Sequence, residues 1–306
     1  MSTQNTQTFF ILAGLLLLLY GCAKEIDNFI PDPINLDFDQ EFGIESAETK
    51  FVVDGRRDTI IFTPRGTEFE IYAGTFVYED GTHCPCETIE FQITEFNRAG
   101  DFIIDPTIDG TPRDHFAVEG LYHVTAKSEG QNIDLKPGVE LHYHVPTDLN
   151  LGYGLLYAGD PYTWQEVEVL PARSGRVEFS SSIDGYEVYV DQLGWSGVGK
   201  DLTSLGTTHV CVDLDLLTHD KNAEVYAIGT TKLLVAPFYF DVEKECFCGE
   251  LPLSIEVEIV VIRKSADDAY QFARQGATVT ADLEIHMTYE PGSKTQSELS
   301  SILKGL

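Results

Sequence analysis

The feature that most constrains this chain is an alternation of apolar and polar residues, with a period of two, that persists beyond residue 50. Ile89, Phe91 and Ile93 interleave with Glu90, Gln92 and Thr94, and Leu253, Ile255, Val257, Ile259 and Val261 interleave with Ser254, Glu256 and Glu258. From Val279 to Tyr289 the same rhythm runs through Ala281, Leu283, Ile285 and Met287. Successive side chains of a strand point to opposite faces, so these runs belong to half-buried strands. Short strands broken by Gly, Asp and Pro read as sandwiches. The one helix signal is terminal, where Thr295 and Glu298 have capping-box spacing ahead of Leu299, Ile302 and Leu303. The expected fold is all-β: two tandem β-sandwich domains with a short C-terminal helix. Polar residues and a proline at Val145-Pro146-Thr147-Asp148 set the expected division, with 51–147 as the first sandwich and 148–306 as the second. Each would bury roughly 65–70% of its chain surface.

Charge narrows the partners. Lys+Arg 20 against Asp+Glu 50 leaves a formal charge of −30, which excludes nucleic acid, since phosphate backbones need clustered cations. Phe 18 and Tyr 14 are too many aromatics for a disordered acidic chain. The acidity reads as surface solvation, with Ca²⁺ affinity expected at acidic loops. The segment Asp37-Phe38-Asp39-Gln40-Glu41-Phe42 is not an EF-hand loop, because Phe42 stands where that loop requires glycine.

The N-terminus holds a twelve-residue apolar run, Phe9 to Tyr20, too short to cross a bilayer core of roughly 30 Å. It ends in Leu19-Tyr20-Gly21-Cys22, which resembles the lipobox of bacterial lipoproteins. That resemblance implies a signal peptide over 1–21, lipid on the Cys22 thiol and membrane attachment through more than one acyl chain. Residues 22–50 then form an acidic tether. Lys24, Glu25 and Asp27 resemble the surface-export signal of Bacteroidota-type lipoproteins, which implies the outer membrane with the chain exposed at the cell surface.

Gly66-Thr67, then Ile71-Tyr72-Ala73-Gly74-Thr75-Phe76 and Asp80-Gly81, resemble the opening of a ZU-type domain, known from netrin receptors, ankyrins and zonula-occludens proteins. Gly100-Asp101-Phe102-Ile103, Leu135-Lys136-Pro137-Gly138 and a strand ending at Pro146 continue the likeness, and Leu155–Trp164 with Gly194-Trp195 resemble a second half. The resemblance implies a β-sandwich surface lipoprotein. ZU-type domains elsewhere mediate protein–protein contact, and no catalytic residues accompany them.

Six cysteines are present, and with Cys22 lipidated an odd five remain. Cys84-Pro85-Cys86 and Cys246-Phe247-Cys248 are both Cys-x-Cys in acidic, turn-like stretches. In an oxidising compartment they are disulfide candidates, with a link between the two motifs preferred, and bridges within each motif or a four-thiolate Zn²⁺ site as alternatives. On the strand around Cys211, alternation puts His209, Cys211, Asp213 and Asp215 on one polar face. Leu121–Ala126 and Val139–Val145 read as a hairpin with Tyr122, Val124, Leu141 and Tyr143 inward. His123, Glu140, His142 and His144 would then share the outer face, a candidate set for Zn²⁺ or Cu²⁺.

Gly194 to Asp201 misses the phosphate-loop pattern, because Asp201 replaces the hydroxyl residue that would meet Mg²⁺. Neither Gly-x-Ser-x-Gly nor His-Glu-x-x-His occurs. The expected role is therefore a non-enzymatic, membrane-anchored module for a protein or glycan partner, requiring no cofactor. A metal-dependent or carbohydrate-active enzyme is the alternative.

Overall fold

The structure, a computed structural model, describes residues 48–104, 115–158, 165–166, 175–181, 184–214, 223–265 and 269–306. Cys22, the expected signal peptide and the tether through residue 47 lie outside these residues. The described residues form three sheets, and the all-β expectation holds.

An eight-stranded sheet runs in the order β1 (Glu48–Val53), β5 (Ile89–Phe96), β6 (Phe116–Ser128), β13 (Gly194–Asp201), β9 (Gly154–Ala158) and β10 (Gln165–Glu166). β7 (Gln131–Leu135) pairs with the end of β6 and with β4 (Phe76–Tyr78). Facing it is a five-stranded sheet: β11 (Gly175–Ser180), β12 (Gly185–Val190), β8 (Leu141–Pro146), β3 (Glu68–Ile71) and β2 (Thr59–Phe62). The core between them is aromatic. Phe69 stacks on Tyr143 at 5.0 Å between ring centroids and meets Tyr122 edge-on at 6.1 Å. The Tyr143 hydroxyl, fully buried, lies 3.0 Å from Ser196 Oγ, so a polar group in the core keeps a partner.

The third sheet has seven strands: β19 (Tyr270–Thr278), β18 (Glu256–Lys264), β15 (Ala223–Gly229), β16 (Val235–Asp241), β17 (Cys246–Pro252), β14 (Thr207–Leu214) and β20 (Leu283–Met287). β16 turns its corner. Val235 to Phe238 pair with β15, whereas Tyr239 to Asp241 pair with β17. The two halves thus fold over one buried cluster that includes Val212, Val225, Ile259 and Ile285.

A second apolar cluster joins the two sandwiches. It takes Val118 and Leu121 from β6, Leu156 from β9, and Tyr226, Val260, Ile262 and Phe272 from the seven-stranded sheet. Helices α1 (Ala99–Ile104) and α2 (Gln296–Lys304) contribute Phe102, Leu299 and Leu303. This explains why β18 buries both faces: Val257, Ile259 and Val261 enter its own core, while Val260 and Ile262 enter the seam.

Three sequence expectations are corrected. The division at 147/148 falls inside the first sandwich, because β12 pairs with β8 and β13 pairs with β6 across it. Pro146-Thr147-Asp148 closes a strand without closing a domain; the two sandwiches instead meet between Asp201 and Thr207. β6 and β8 are not a hairpin, since β6 turns back into β7 through Lys127↔Asn132, and β8 lies in the facing sheet. The run from Val279 to Tyr289 is not one strand, because Asp282 (φ +49°) makes a turn before β20.

Candidate functional site

The outer face of the five-stranded sheet carries two cross-strand rows. One runs Ile60–Glu70–His142–Tyr189–Arg176 and the other Phe62–Glu68–His144–Glu187–Glu178, each from edge to edge. Strand alternation builds them, since Ile61, Phe69, Tyr143 and Val188 take the inward positions. His142 sits between two carboxylates, with Nδ1 3.1 Å from Glu70 and Nε2 hydrogen-bonded to Glu187. Its ring stacks on Tyr189 at 4.5 Å, and the Arg176 guanidinium lies 3.6 Å from the centroid of that tyrosine ring. The Tyr72 hydroxyl and then His142 hold the Glu70 carboxyl below its usual range. In return, Glu70 pushes Tyr72 up to about 12.

The four candidate metal ligands do not converge. His142 and His144 share this face, with His144 Nδ1 3.3 Å from Glu187 but poorly aligned for a hydrogen bond. Glu140 is paired with Arg176 at 2.7 Å. His123 points out from the opposite sheet, where it stacks on Trp195 at 4.5 Å, and burial holds its pKa below the usual value. The thickness of a sandwich, about 10 Å between its sheets, separates it from the other two histidines. Inward and outward faces were read correctly; the strand partner was not.

The cysteines also part company. Cys84 and Cys86 are joined by a disulfide that closes around Pro85, so neither can link to Cys246 or Cys248. The preferred inter-motif bridge is therefore replaced by a local one. Cys246 and Cys248 instead meet Cys211, which the register places directly across from Cys248. The Sγ atoms of Cys211 and Cys248 are 2.7 Å apart, and those of Cys246 and Cys248 are 3.4 Å apart. Burial pushes the Cys246 and Cys248 thiols up. Alternation had placed Cys211 on a polar face, but nothing local to it announced β17 as its neighbour.

Two further features lie elsewhere on the surface. A cleft of about 300 Å³ opens at the seam, lined by Arg98, Glu119, Leu149, Thr230, Lys232 and Leu306 among others. Burial raises the Glu119 carboxyl there. The second feature is an open side of the first sandwich. β1 ends the eight-stranded sheet and β2 ends the five-stranded one, and only residues 54–58 separate them, so both edges lie on the same flank. Among the described residues neither has a strand beyond it. Val52, Ile60 and Phe62 are 70%, 52% and 60% exposed there.

No family model matches the chain, and no curated protein matches it. Among solved structures it is similar to a gamma-CGTase from alkalophilic Bacillus clarkii, with 10% identity and a TM-score of 0.22. The match covers 76% of this chain and 41% of that one. At that score the likeness carries no argument about fold or function.

Proposed function

We propose that the protein is a lipid-anchored, surface-facing component of the cell envelope that binds a protein partner and performs no chemistry of its own. Its partner contributes an extended segment that lies along β2 and adds a strand to the five-stranded sheet. The observation that carries this reading is the pair Ile60 and Phe62, more than half exposed on a strand with an open edge. Such edges are normally shortened, charged or covered, because unpaired backbone groups recruit another chain. Main-chain hydrogen bonds would supply affinity, and alternate side chains beside Ile60 and Phe62 would supply selectivity. The ZU-type resemblance, the lipobox-like Cys22 and a Cys84–Cys86 disulfide suited to an oxidising compartment support the same reading.

Photo-crosslinking in intact cells tests it. A photoreactive residue at Phe62 should give a discrete protein adduct in the membrane fraction, while one at Val242, exposed but on a turn, should give none. Cys22→Ser should release the adduct into the soluble fraction. Equal labelling from both positions, or none at Phe62, would overturn the docking edge. Unchanged membrane association of Cys22→Ser would overturn the anchor.

A further inference from the structure

The three thiols on the outer face of β14 and β17 are absorbed by neither the docking edge nor the fold. Cys211, Cys246 and Cys248 each offer a sulfur, and the three sulfurs all lie within 4.8 Å of one another. We propose that they form a binding site for a soft, thiophilic cation, with monovalent copper the ion matched to three sulfur donors.

Cys84 and Cys86 satisfy each other, so among the described residues three thiols remain and no set of disulfides within the cluster can use them all. Any bond between two of them leaves a third sulfur beside it. A single ion engages all three.

Geometry follows from the strands. Cys246 and Cys248 are two apart on β17 and therefore point to the same face, and Cys211 faces Cys248 from β14. Rigid antiparallel strands fix three Cβ atoms around one point with no loop to order. Three sulfurs in a plane, each about 2.3 Å from one ion, lie about 4.0 Å from one another, inside the 4.8 Å that bounds all three separations here. Reaching that distance from the present 2.7 and 3.4 Å separations requires the cysteine side chains to rotate apart.

Donor chemistry selects the ion. An all-sulfur set favours soft cations over Ca²⁺ or Mg²⁺, which take oxygen. Zinc takes four ligands in closed sites, whereas among the described residues this cluster supplies three sulfurs. Monovalent copper is satisfied by three thiolates in a plane. The surrounding face is acidic. Asp241 pairs with Cys246 across β16 and β17, Glu250 follows Cys248 on the same face, and Glu284 faces Cys211 from β20. Cations are drawn to such a face. Binding exchanges thiol protons for the metal, with no change of oxidation state and no oxidant required.

The test uses the full-length protein, prepared anaerobically with reductant and titrated with Cu(I) against a chromophoric Cu(I) chelator. One equivalent should bind and should protect Cys211, Cys246 and Cys248 from alkylation, a readout that needs no variant. Cys248→Ser should weaken binding by more than about 100-fold, the upper end of what losing a neighbouring non-ligand residue costs. Cys84→Ser/Cys86→Ser should bind Cu(I) as the parent does. Three thiols that remain alkylatable under Cu(I), stoichiometric binding that survives Cys248→Ser, or a Cys211–Cys248 disulfide in freshly isolated protein would each overturn the site.

Discussion

Glu95 is the residue whose environment has the clearest consequence. It is 1% exposed, and its Oε1 has no hydrogen-bond partner. Burial raises its pKa, against the opposing pull of the Thr67 and Thr63 hydroxyls and of Arg65. A carboxyl whose folded pKa lies above its unfolded value of 4.5 favours the folded state most when protonated. Its contribution is therefore complete below pH 4.5 and falls as pH rises through the folded value. Glu95→Gln keeps the shape and removes the charge, so its melting temperature should exceed the parent's at pH 7 and match it at pH 4. His123 works in the opposite sense. Its folded pKa is lowered from 6.5 by burial, so its contribution is complete above that pH and is lost as pH falls toward the folded value. His123→Phe preserves an aromatic ring over Trp195 and should flatten the acid limb of the same melting profile. Parallel pH profiles for parent and variants would show that neither group titrates against folding.

At the scale of elements, the best-defined device is the start of α2. The Thr295 side chain accepts from the Glu298 backbone N–H, and Glu298 accepts in turn from the Thr295 N–H. Thr295→Ala should destabilise by about 1 kcal/mol, measured by denaturant midpoint at unchanged slope. This motif was legible in the sequence because both partners lie within one turn. Alternation was equally legible as a statement about faces: Ile89, Phe91 and Ile93 are all buried, with Glu90 exposed. It says nothing about which strand lies beside which. The histidine cluster failed for that reason, since β6 and β8 meet through their inner faces across the core. The thiol cluster went unread for the same reason, since a sequence separation of 37 between Cys211 and Cys248 hides a direct cross-strand pair.

At the scale of the whole molecule, the seam decides how the two sandwiches behave. Leu299 and Leu303 are fully buried in it, and α1 lies so close to α2 that a Cβ on Gly100 would collide with the Leu303 carbonyl. Leu299→Ala and Leu303→Ala should each cost about 2–5 kcal/mol. Calorimetry should show one transition in the parent, and the variants should lower it as a unit. Two separate transitions in the parent, with only the later-sequence sandwich sensitive to these substitutions, would show that the seam does not couple them. Composition placed the boundary at a proline and missed it. What divides the chain is the end of β13, and a glycine-rich strand gives little compositional sign of where a domain closes.

The position of β13 has a further consequence, for the order in which the chain can fold. It lies between β6 and β9, bonded to both, yet both precede it in the sequence. A growing chain that has reached Ala158 therefore holds two strands whose shared neighbour has not yet been made. Until Asp201 emerges, the middle of the eight-stranded sheet is a gap with an open edge on either side, the arrangement most prone to capture a wrong strand. Productive folding must wait for that late insertion, and pairing so distant in sequence slows the closing of the first sandwich.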